Sequence, residues 1–198
     1  MIVIGLTGGV GSGKTDVLNY IHDKFGASII QADDIAKKLQ KKGGDAFEPI
    51  VEYFGEDILD DKGELDRKKL SAIVFDNRDK LEKLNSIVHP AVKEKIKKLI
   101  SKEEKKNTNL LIIEAALIIE AGYEDLYNEL WYVYVSKENR KNRLIYSRGY
   151  SEEKVDSIIS NQLPKAEYLK YADRVIDNNG IFAETTIQID KIMKEMYS

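Results

Sequence analysis

Eight residues near the start, "GGVGSGKT" at 8–15, bring together the residue types that hold a polyphosphate. Gly8, Gly13, Lys14 and Thr15 occupy the fixed positions of the pattern G-x-x-x-x-G-K-[ST]. Glycines let the backbone turn its N–H groups inward around phosphate oxygens, and the helix that follows adds the positive end of its dipole. Gly9, Val10, Gly11 and Ser12 complete the cradle, and Asp16 follows in the first helical turn. In such a loop Lys14 reaches the β- and γ-phosphates and the Thr15 hydroxyl ligates Mg²⁺, so a nucleotide with Mg²⁺ is the expected ligand. A glycine-rich turn kept for packing alone would need neither the lysine nor the hydroxyl.

Two further groups carry the chemistry of phosphoryl transfer. "QADDIAKKL" places Asp33 and Asp34 just past a strand, on the edge where ligands gather in open α/β sheets. One carboxylate there can accept the proton of an attacking hydroxyl; capping of the next helix is the competing role. "SKENRKNRLIYSRGYS" carries Arg140, Arg143 and Arg148, whose guanidinium groups can close over a triphosphate. For Arg140 alone, surface pairing with Glu138, Glu152 or Glu153 is the favoured reading.

Positioning these groups takes a sheet with helices on both sides. Continuous apolar runs at 2–7, 27–31, 109–116, 130–136 and 173–178 suit strands buried on both faces. Helical spacing fills the gaps, as with Val17, Leu18, Ile21 and Phe25, so the pattern predicts a doubly wound parallel α/β sheet of about five strands. The interval 33–108 is too long for one crossover and reads as an inserted helical region. Pro90 suits the first turn of a helix over "PAVKEKIKKLISKEEKK", which puts His89 at a helix boundary. The closing segment 181–197 has Ile189, Ile192, Met193 and Met196 at amphipathic spacing.

Composition narrows the chemistry. The 198 residues contain no cysteine and two histidines, which excludes disulfides and thiolate sites and leaves oxygen ligands for any metal. A net charge of −3 offers no general attraction to nucleic acid, and the lysines of "AKKLQKK" read as a solvated helix face. No apolar run approaches the roughly 20 residues of a membrane span, and no basic segment precedes the short apolar start. A cytoplasmic protein without membrane or nucleic-acid partners is expected.

In order and approximate spacing, "GLTGGVGSGKT", "QADDIAKKL", "YFGEDILDDKGELDRKKLSAIVF", "LNSIVHPAV", "ALIIE", "NRLIYSRG" and "RVIDNNG" resemble the dephospho-coenzyme A kinases across almost the whole chain. The resemblance implies a three-layer P-loop NTPase fold with a core at about 1–32, 109–136 and 172–198. It further implies a helical substrate-binding insertion at about 33–108 and a helical lid at about 137–171. The implied reaction is ATP-dependent phosphorylation of the ribose 3′-hydroxyl of dephospho-coenzyme A, giving coenzyme A and ADP. By motif, Asp33 is similar to the catalytic base, Lys14 to the phosphate-stabilising lysine, Arg143 to the lid arginine and Arg148 to a second basic lid residue. Arg67 and His89 fall on family motifs in the helical region, where capping and packing explain them equally well.

The chain departs from the family pattern in three places: Gln31 and Glu114 stand where aspartates are usual, and Ala116 where a proline is common. Monomer and weak homo-oligomer both stay open. Two other functions compete, a nucleoside or small-metabolite kinase on the same scaffold and a nucleotide-binding switch that transfers nothing. The "GELDR" to "LNSIVHP" region argues against the first, and Asp33 with the arginine cluster against the second.

Overall fold

The computed structural model describes residues 1–75 and 77–197. The chain divides into two compact units: unit 1 is Met1–Ile30 with Glu103–Ser198, and unit 2 is Gln31–Lys102.

Five strands form one sheet, β1 (Ile2–Thr7), β2 (Ser28–Gln31), β3 (Leu110–Glu114), β4 (Glu129–Tyr134) and β5 (Arg174–Asp177), in the order β2-β3-β1-β4-β5. β1 pairs in parallel with β3, Ile2 facing Leu110 and Leu6 facing Glu114, and with β4, Ile4 facing Glu129 and Thr7 facing Tyr132. β4 pairs in parallel with β5 from Trp131–Arg174 to Tyr134–Asp177. Every residue of β3 is buried, as a central parallel strand covered on both faces requires. The five apolar runs of the sequence are these five strands, shortened by a residue or two at most ends.

Helices cover the sheet. Those of unit 1 are α1 (Lys14–Phe25), α6 (Lys137–Arg148), α7 (Glu152–Ser160), α8 (Lys165–Tyr171) and α9 (Phe182–Met196). Val17, Leu18 and Ile21 of α1, with Ile189 and Met193 of α9, pack on Ile4, Leu6, Ile112, Trp131 and Ile176 in one apolar core. At roughly 0.8 kcal/mol per buried methylene, that cluster is the main force holding α1 and α9 to the sheet. Beside it, Asp190 of α9 accepts from the Tyr20 hydroxyl at 2.8 Å and from Lys24 Nζ at 2.7 Å, both on α1. Ser136 and Ser151 cap α6 and α7, each accepting the N–H three residues on.

Unit 2 holds α2 (Ala32–Leu39), α3 (Phe47–Phe54), α4 (Arg67–Phe75) and most of α5 (Arg78–Lys105). Its helical patterning is interrupted by one small feature, an antiparallel bridge between Leu59 and Leu65 around a turn in which Asp60 accepts the N–H groups of Lys62 and Glu64. Asp66 caps α4 by accepting from Lys68 N–H at 2.9 Å.

The structure corrects the expectation for Pro90. It lies inside α5, as the thirteenth residue of the helix, and His89 is mid-helix rather than at a boundary. Proline in a helix interior costs about 3 kcal/mol through its missing N–H and its clash with the preceding turn. Val88, Val92 and Ile96, spaced by four across the proline, are all buried and keep the helix running.

Candidate active site

Four neighbouring strands of unit 1 end next to the chemically interesting groups. β1 runs into the 8–15 loop, β3 ends on Glu114, β4 leads to the arginine-bearing α6, and β5 leads to Asn178. Parallel strands put all four C-terminal ends on one edge, where open α/β sheets bind ligands.

The loop takes its shape from its glycines. Gly13 has φ 81°, a left-handed conformation that a side chain disfavours, and serves as the N-cap of α1 with no side-chain cap. The positive end of α1 is therefore directed at whatever the loop encloses. Lys14 Nζ donates to the Gly8 carbonyl at 2.7 Å and lies 3.9 Å from Glu114 Oε1. Thr15 and Asp16, which follow in the first turn, are exposed.

Two oxygens here are unsatisfied. Among the described residues, Thr7 Oγ1 and Ser12 Oγ are buried side-chain atoms without a hydrogen-bond partner, and both belong to the strand end and loop. Such groups cost free energy and collect at sites built for a ligand. Around Gly8 the space is closed, since an added Cβ would lie 2.6 Å from the Val133 carbonyl oxygen and 2.8 Å from Ser12 Oγ. A glycine loop, a lysine, and a helix N-terminus make a fitting cradle for the phosphates of ATP.

The structure separates the three arginines of α6. Arg143 is half-buried, and its Nη2 donates to the Asn178 carbonyl at 2.7 Å. Arg148 is exposed at the last position of α6. Arg140 overturns the surface-pairing reading: it is 9% exposed, burial pushes its pKa down, and its Nε donates to the Val10 carbonyl at 2.8 Å. The acids expected to pair with it do not; Glu152 binds Lys141 Nζ at 2.9 Å, together with Asp156 at 3.3 Å. An arginine whose acceptors are a backbone carbonyl and an amide far along the chain leaves no trace in local charge patterning.

Asn178 escaped the sequence reading altogether. It is 4% exposed, its Nδ2 donates to the Ser12 carbonyl at 2.8 Å, and its Oδ1 accepts from the Thr185 hydroxyl at 2.8 Å. Its own N–H donates to Tyr134 O at 2.9 Å. One residue thus ties the loop to α9 through its side chain and to the end of β4 through its backbone N–H. Its place in "VIDNNG", directly after a strand on the ligand-binding edge, is the signal that would have found it.

In unit 2, neither aspartate caps α2. Gln31 is the N-cap, and Asp33 and Asp34 fall in the first turn. Asp34 accepts from Lys37 Nζ at 2.6 Å, and that bond holds its carboxyl below the usual carboxylate range. Asp33 is exposed and has no hydrogen-bond or ion-pair partner among the described residues. Arg67 opens α4 and lines a hollow with Lys68, Ser71, Ala72 and Phe75. His89 is half-buried, and burial pushes its imidazole below its ordinary pKa.

Among the described residues no cluster of three or more His, Cys, Asp or Glu side chains could cage a metal ion. No described helix is long and apolar enough to cross a membrane.

Comparison with known proteins agrees with this geometry. The dephospho-CoA kinase family model matches residues 2–184. A dephospho-CoA kinase of Aquifex aeolicus is 42% identical over 193 residues, covering 98% of this chain and 96% of that protein. One from Carboxydothermus hydrogenoformans is 39% identical over 193 residues, covering 98% and 93%. The solved dephospho-CoA kinase of Campylobacter jejuni superposes with a TM-score of 0.70 at 26% identity, covering 98% and 96%. With the sheet, the phosphate cradle and these matches together, the chain belongs to the dephospho-CoA kinase family and carries out ATP-dependent phosphorylation of dephospho-CoA in coenzyme A biosynthesis.

Proposed function

We propose that Asp33 is the catalytic base and that the acceptor is the ribose 3′-hydroxyl of dephospho-CoA. The hydroxyl oxygen bonds to the γ-phosphorus as the bond to the β-phosphate oxygen breaks; the proton passes to the Asp33 carboxylate, and ADP leaves. What supports Asp33 over its neighbour is availability: Asp34 is hydrogen-bonded to Lys37, whereas the exposed Asp33 carboxylate has no hydrogen bond or ion pair among the described residues. General bases of this kind contribute roughly 10²–10⁴ in rate.

Lys14 and Arg143 neutralise charge that spreads over the transferring phosphoryl group, and Arg148 adds to it from the end of α6. Backbone N–H groups of the 8–16 segment hold the phosphates, apart from those of Val10, Ser12 and Asp16, which donate within the protein, and the Lys14 ammonium moves from the Gly8 carbonyl toward them. Mg²⁺, when bound, supplies further charge neutralisation at the phosphates, and Thr15 is the residue that would hold it. A single protein hydroxyl beside substrate phosphates suits Mg²⁺, which keeps most of its waters and seldom takes an all-protein cage. A net charge of −3 with no cysteine fits a cytoplasmic enzyme of small anionic substrates, without nucleic-acid or membrane partners.

The observation that carries this reading is the 8–15 loop, with Lys14 held at its mouth between Gly8 and Glu114. Asp33→Asn tests it. The variant is expected to bind ATP as the wild type does and to turn over roughly 10²–10⁴-fold more slowly. Unchanged turnover would remove Asp33 from the mechanism.

A further inference from the structure

Val10, in the middle of the phosphate-binding loop, is held from outside by the segment that carries α6 and α7. Arg140 Nε donates to its carbonyl at 2.8 Å, and Gln162, in the turn after α7, accepts its N–H on Oε1 at 3.2 Å. The same Oε1 accepts from Arg140 Nη2, which closes the triangle. Both polar groups of one peptide residue are thus taken by side chains 130 and 152 positions away. The guanidinium also lies against Gly9, where any Cβ would overlap its Cζ and both terminal nitrogens. Among the described residues no carboxylate pairs with Arg140, so its hydrogen-bonding capacity is directed at the loop and at Gln162.

A loop this rich in glycine has much freedom to lose when it closes on a ligand. Fixing its backbone in advance moves that loss from the binding step to folding. We propose that Arg140 and Gln162 are positioning residues for ATP, acting through the Val10 peptide to keep the loop in its phosphate-binding shape without touching the phosphates. The proposal rests on the reading of residues 8–15 as the site of the nucleotide's phosphates. It assigns Arg140 a task different from Arg143, although both stand on the same helix three residues apart.

The test uses a non-hydrolysable ATP analogue, with binding measured by calorimetry, beside steady-state KM values for both substrates. Gln162→Leu removes the acceptor, and Arg140→Lys keeps the charge but loses the fork. Each is expected to weaken analogue binding roughly tenfold, the scale of a lost charge-assisted hydrogen bond, and to raise KM for ATP alone. Because both act on one peptide, the double variant is expected to match the singles rather than reach the roughly hundredfold loss of independent effects. Wild-type affinity in either single variant, additive losses, or a parallel rise in KM for dephospho-CoA would overturn the brace. Absence of analogue binding by the wild type would overturn the reading of the loop itself, and the brace with it.

Discussion

Arg143 and Lys14 each rest on a backbone carbonyl of the site, Asn178 and Gly8 respectively, at 2.7 Å. Arg143, bonded to a neutral carbonyl, is held less strongly than a cation paired with a carboxylate and can turn to phosphate oxygens at low cost, whereas Lys14 exchanges both its carbonyl and Glu114, 3.9 Å away, for the phosphates. Lys14→Ala is therefore expected to lower both ATP affinity and turnover; a variant that kept its rate would contradict the phosphate role. Arg143→Ala should lower the rate of transfer with little change in ATP affinity, measured by single-turnover phosphoryl transfer. An effect confined to dephospho-CoA affinity would reassign it to the acceptor. The residues that could be read from sequence are those whose type and spacing are set by the ligand, as in "GGVGSGKT". Arg140 was misjudged and Asn178 missed because their partners, Val10, Gln162, Ser12 and Thr185, are set by tertiary packing across as many as 166 residues.

Among the elements, α5 departs most from local rules. Pro90 is exposed on it and cannot donate to the Ser86 carbonyl, yet Val88, Val92 and Ile96 bury on one face and carry the helix through. Packing summed over three side chains outweighs one lost backbone bond, which is why a reading from the proline alone started the helix too late. Pro90→Ala is expected to raise stability by up to about 3 kcal/mol, seen as a higher urea midpoint with unchanged slope. A lowered midpoint would mean that the proline is required for the helix's course.

The end of the same helix carries an acid-sensitive tie. Glu103 accepts from Lys106 Nζ at 2.5 Å, the Thr108 hydroxyl at 2.8 Å and the Ser28 hydroxyl at 3.0 Å, which lowers its pKa to about 2. A carboxyl depressed in the folded state contributes stability above its unfolded pKa and loses it as pH falls through the folded value. Glu103→Gln should therefore flatten the pH dependence of stability between about 4.5 and about 2. An unaltered acid limb in the variant would show that the tie contributes nothing. The strands, by contrast, were open to reading from sequence because burial on both faces demands unbroken apolar runs, and such runs survive in "IVIGLT" and "LLIIE" without tertiary knowledge.

For the whole molecule, one sheet edge collects the phosphate loop, Glu114, the arginine helix and Asn178, and the family match extends over residues 2–184. Topology explains why a sequence with alternating strands and helices disclosed this much: parallel strands must return their C-terminal ends to one edge, so motifs that follow strands meet there. The activity itself is tested most directly by ADP release with ATP, Mg²⁺ and dephospho-CoA, run beside adenosine, AMP and pantothenate as alternative acceptors, with product mass identified. Rapid ADP release confined to dephospho-CoA, matched by coenzyme A of the right mass, is the predicted result. Turnover with another acceptor and silence with dephospho-CoA would contradict the account, and so would ATP binding without transfer to any of them.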